Sequence, residues 1–151
     1  MTDWLHRFTP RQWLDAGLHE LGEARGQLAR HAARPALASA RRAAGMAWNA
    51  VLALEAEPPA VFGRTYVEHL VALAGGAVMD ADDPHPIPLA VREAARTLLE
   101  DPAAGPTGVV QILTPRRDRR VGDAAETILA EAYARLIRRS ADVDANADPH
   151  P

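Results

Sequence analysis

Residues 34 to 59 read RPALASARRAAGMAWNAVLALEAEPP. Leu37, Ala40, Ala44, Trp48 and Val51 recur at helical spacing, and Ala43, Ala47, Ala50 and Leu54 widen the same stripe. Alanine loses no side-chain entropy in a helix and lets neighbours approach closely. The stretch therefore predicts a central helix over about 36–56, touched on several sides, that stops at Pro58 and Pro59.

Other helices follow around it. Thr9 and Pro10 suit an N-cap and a first helical position, and Leu14, Leu18, Leu21 and Leu28 supply an apolar stripe to about residue 32. Trp4, Leu5 and Phe8 predict a short turn packed back on the body. A third helix is expected over 63–74 with Val67, Leu70, Val71 and Ala74 inward, stopped by Gly75 and Gly76. Pro88 opens a fourth, through Leu89, Val91, Ala95, Leu98 and Leu99. Asp123 and Glu126 match a capping box for the last, whose face is Ile128, Leu129, Ala132, Tyr133, Leu136 and Ile137. Between these two, residues 105–114 resist a helical pattern and read as an irregular extended crossing. The expected architecture is all-α: an antiparallel bundle of four to five helices in a single domain over 1–139, with a disordered acidic tail over 140–151. The second and last helices carry wider apolar faces than a small bundle needs, which points to a homodimer.

The chain has 151 residues, 32 of them alanine, and its 17 basic residues are all arginine. A GC-rich coding bias explains the arginines more economically than selection for anion binding. Net charge is −3, so the general basic field of a duplex-DNA binder is missing. There is no cysteine, which excludes disulfides and a thiolate nucleophile. MTDWLHRFTP lacks the apolar core of a secretory signal, and no stretch is apolar enough for a membrane span. The expected location is the cytoplasm, with no membrane partner.

The stretch 34–59, with RQWLDAGLHELGEARGQLARH before it and DAAETILAEAYARLIRR near the end, resembles the HEPN family (higher eukaryote and prokaryote nucleotide-binding domains) over about two thirds of the chain. Active members of that family carry R-x(4–6)-H and cut RNA without metal at a dimer interface. Arg64 and His69 match that spacing. The resemblance would make His69 the proton carrier and Arg64 the group that stabilises phosphate charge. Here Thr65 follows the arginine, where the family usually has Asn, Asp or His. By composition alone roughly two such matches are expected, and the chain has two, counting Arg25 with His31. The competing reading is a surface arginine and a histidine packed in the bundle. The resemblance also directs attention to a nucleotidyltransferase as partner.

Arg116, Arg117, Arg119 and Arg120 form a dense cationic cluster, placed just before the expected last helix, that could hold RNA or a nucleotide phosphate. A solvated turn paired with the chain's carboxylates is the plainer reading. Asp80, Asp82, Asp83 and His85 lack the glycine and distal glutamate of a calcium loop, so no metal or cofactor is expected. The resulting expectation is a non-catalytic, dimeric interaction or nucleotide/RNA-associated module. Its alternatives are a metal-independent ribonuclease of toxin type and a helical adaptor unrelated to HEPN.

Overall fold

The computed structural model describes residues 3–100 and 115–147, apart from the side chains of 115–118. Among the described residues it contains five α-helices, one short 3-10 turn and no strand: α1 Pro10–Ala29, α2 Ala33–Leu52, the turn Ala60–Phe62, α3 Tyr66–Ala74, α4 Leu89–Leu99 and α5 Pro115–Asn146. The expected extended crossing over 105–114 lies outside the described residues.

Local chemistry accounts for the helix starts. In α1 the Thr9 hydroxyl accepts from the Gln12 N–H, the Gln12 side chain accepts from the Thr9 N–H, and Pro10 occupies the first helical position. Thr65 and Glu68 repeat this box at α3. Helix α1 ends where His31 turns left-handed, at φ 59, and the Ala32 N–H donates back to the Gln27 carbonyl at 2.8 Å. Helix α2 starts before Pro35, whose missing N–H falls in the first turn, where no intrahelical partner exists.

Helix α2 is the centre of the fold and packs on all four other helices. Thirteen of its 20 residues are buried, six of them alanines. Close approach is literal at two glycines. A Cβ on Gly17 would come within 2.9 Å of the Ala43 carbonyl oxygen, and one on Gly45 would overlap the Tyr66 ring. The N-terminal turn packs as expected: Leu5 is buried, the Trp13 indole N–H donates to the Leu5 carbonyl at 2.8 Å, and Phe8 meets Trp13 edge-on.

Several expectations need correction. In α3 the inward face is His69, Leu70, Ala72 and Leu73, whereas Val67 and Val71 are exposed. The helix rolls to seat Tyr66 over Gly45 and to bring His69 to Asn49 on α2. In α1, Leu18 is exposed, and Trp13, Gly17 and Ala24 take inward positions beside Leu14 and Leu21. Helix α5 begins at Pro115, so Asp123 lies in its interior and caps nothing. The same helix continues to Asn146, through the first half of the region read as a disordered tail. Tyr133 and Ile137, expected in the core, are 48% and 50% exposed.

Candidate functional site

Thr65 stops the chain in an extended conformation and starts α3, which places His69 one turn into the helix and directs its ring at α2. His69 is fully buried. Its Nδ1 lies 2.6 Å from the Phe62 carbonyl oxygen, which can only accept, so Nδ1 carries a proton. Its Nε2 lies 2.6 Å from the Asn49 side-chain oxygen. Burial pushes the imidazole pKa below its ordinary value, against the Phe62 bond and the charge of Glu68, and so favours a neutral ring with one N–H. A neutral ring needs the Asn49 amide turned end for end. Its NH₂ group, otherwise buried without a partner, then donates to Nε2. The histidine thus ties α2, the 60–62 turn and α3 together, with both nitrogens engaged.

Arg64 is exposed in the loop before α3, with its guanidinium carbon 5.4 Å from the centre of the Trp4 ring. Its backbone N–H and that of Thr65 donate to Glu68 Oε2, both at 2.8 Å. These two backbone bonds are the main reason the Glu68 carboxyl titrates below its ordinary range. Arg64 and His69 are therefore close in sequence but differ in environment: one stacks at the surface, the other closes a core junction. The ring offers no exposed lone pair to a substrate.

The predicted phosphate cluster lies within the first turns of α5. Arg119 and Arg120 are exposed, and the side chains of Arg116 and Arg117 lie outside the described residues. Sequence reading missed what other arginines do. Arg41 donates to the Leu98 carbonyl at 2.6 Å, Arg96 to Ala74 at 3.2 Å and Arg139 to Leu54 at 2.9 Å. Each covers carbonyls left free where α4, α3 or α2 ends. Nothing local in the sequence marks these roles, because each arginine and its carbonyl come from different elements.

Arg135 is the most deeply committed of them. It is 9% exposed, sits 5.9 Å from the centre of the Trp48 ring, and donates to Glu131, Asp83 and the His85 carbonyl at 2.9, 3.0 and 2.6 Å. Desolvation works against the Asp83 carboxylate, but the His85 N–H and Arg135 outweigh it and hold its pKa below the ordinary value. Arg135 thereby pins the 80–85 loop to α5 and lines a polar cavity of about 430 Å³. Carboxylates outnumber arginines in its lining, which disfavours phosphate. Among the described residues no three His, Asp or Glu side chains converge as a metal site.

A second concavity, about 530 Å³, lies between the start of α1 and the C-terminal half of α5. Its walls are mainly apolar, with Pro10, Leu54, Tyr133, Leu136, Ile137 and Val143. No helix among the described residues is long and apolar enough to cross a membrane. In comparisons with known proteins, no family model, curated protein or solved structure matches the chain.

Proposed function

We propose that this chain is a HEPN-like antiparallel helical bundle that acts as a non-catalytic interaction module, working through the apolar groove between α1 and α5. The observation that carries the reading is the state of His69. A general base must reach the proton it takes. This ring is buried, with the Phe62 carbonyl on one nitrogen and the Asn49 amide on the other. Arg64 is stacked on Trp4. The two groups a metal-independent ribonuclease would need are already used in the fold, whereas Tyr133, Ile137 and Val143 expose apolar surface.

The test is incubation of the purified chain with single-stranded RNA in the presence of a chelator. Intact RNA is the expected result. Cleavage that disappears in both Arg64→Ala and His69→Gln, with helical content unchanged, would replace this reading with the ribonuclease.

A further inference from the structure

The stretch 80–86, between α3 and α4, lies outside the core. Six of its seven residues are exposed, and Asp83 is partly buried. The apolar contacts that seat the connection fall at its two ends, at Met79 and Ile87. In between, the chain is shaped by its own turns. The Asp80 side chain accepts from the Asp82 N–H at 3.0 Å, and the Asp83 side chain accepts from the His85 N–H at 2.7 Å. Pro84 and Pro86 fix two further backbone angles. A segment shaped by its own turns loses little entropy when it docks.

Among the described residues, two hydrogen bonds join this stretch to the rest of the chain, and Arg135 makes both. It donates to the Asp83 carboxylate at 3.0 Å and to the His85 carbonyl at 2.6 Å. Arg135 has separate holds of its own: Glu131 accepts from its Nε–H at 2.9 Å, and its guanidinium lies over the Trp48 ring. It therefore stays in place when the stretch leaves. Asp82, Asp83 and His85 line the polar cavity together with Val51, which is 2% exposed.

We propose that residues 80–86 form a strap, latched by Arg135, that opens while the five helices stay folded, and that its opening lays bare Val51 and the Arg135 guanidinium. Leu54 and Arg139 border both this cavity and the apolar groove, so the strap opens beside the docking surface. The latch is a property of the fold and holds whatever fills that groove.

The chain has no cysteine, so one engineered thiol in the full chain reports the opening. Val51→Cys, close to valine in size, puts it behind the strap, and Ala24→Cys, buried in α1, reports global unfolding. A neutral maleimide, dilute enough that closing outpaces modification, reads the population that is open. Val51→Cys should react faster than Ala24→Cys. Its rate should barely change in low urea, whereas that of Ala24→Cys should climb steeply, because only global unfolding exposes a large surface. Asp83→Asn keeps an oxygen for the His85 N–H but turns an NH₂ group towards Arg135. Loss of a charge-assisted hydrogen bond shifts an equilibrium by roughly 10–100-fold, so adding Asp83→Asn should speed the Val51→Cys reaction at least about tenfold. Equal rates and equal urea dependence for the two thiols would overturn the proposal, since the cavity would then open only by unfolding. So would a fast Val51→Cys reaction that ignores Asp83→Asn, which would mean that the latch is not this contact. Exchange of the Arg135 Nε–H, followed by NMR in wild type and Asp83→Asn, makes the same comparison without a core substitution. Acceleration supports the strap, and an unchanged rate overturns it.

Discussion

Replacing His69 with alanine removes the group that joins α2, the 60–62 turn and α3, and the cost follows from its surroundings. The Phe62 carbonyl and the Asn49 amide both lose their partner inside the core. Leaving a buried polar group unpaired costs about 1–3 kcal/mol each. The imidazole also leaves a cavity whose walls, set by rigid helices, can close only in part. A loss of about 3–5 kcal/mol is expected, a large share of the roughly 5–15 kcal/mol that holds a typical domain. Denaturant unfolding followed by circular dichroism at pH 7.5 measures it. The pH dependence gives a sharper check. The folded-state pKa of His69 lies below the unfolded value near 6.5. As pH falls below about 6.5 the unfolded chain gains a proton that the folded chain resists, so stability drops by up to about 1.4 kcal/mol per pH unit until the folded pKa is reached. The gap between wild type and His69→Ala should therefore be widest above pH 7 and narrow towards pH 5. A loss under about 1 kcal/mol at pH 7.5, or a gap that does not change with pH, would refute the buried neutral ring.

Two further changes probe the packing. Gly45→Ala forces a methyl group into the Tyr66 ring and should cost about 1–3 kcal/mol, read as a lower thermal midpoint and an altered near-ultraviolet tyrosine signal. Arg135→Met keeps much of the apolar stem over Trp48 but removes the guanidinium from Asp83, Glu131 and the His85 carbonyl, leaving Asp83 with the His85 N–H and Glu131 with Arg138. It should cost about 3–5 kcal/mol and raise hydrogen exchange in the 80–85 loop ahead of the helices.

Much of the fold can be read directly from the chain. The alanine stripe of residues 34–59 already implies a helix with neighbours on several sides, and Thr9, Pro10, Gly75 and Pro88 mark helix limits by their own backbone chemistry. These are local effects, and local effects are legible. The roll of α3 was not. A periodicity argument assigns Val67 and Val71 to the core because it ranks side chains by polarity, and it offers a packed His69 only as the alternative to a catalytic one. That ranking fails once a histidine finds two partners, since a satisfied imidazole is buried at little cost. The start of α5 was missed for a related reason: Asp123 fits a cap by sequence, yet nothing in the residues before it forces the helix to begin there.

The candidate site divides the same way. Spacing in the sequence set Arg64 and His69 side by side as a pair, because it measures only separation along the chain. The Trp4 ring and the Asn49 amide, brought in from the N-terminal turn and α2, give the two residues separate work. By itself the sequence determined an all-helical chain built around an alanine-rich centre, since helix propensity and spacing act within a few residues. Only the tertiary structure decided which histidine face is satisfied, which arginines close helix ends, and which stripe of α5 is left without cover, because each depends on atoms that come from distant parts of the chain.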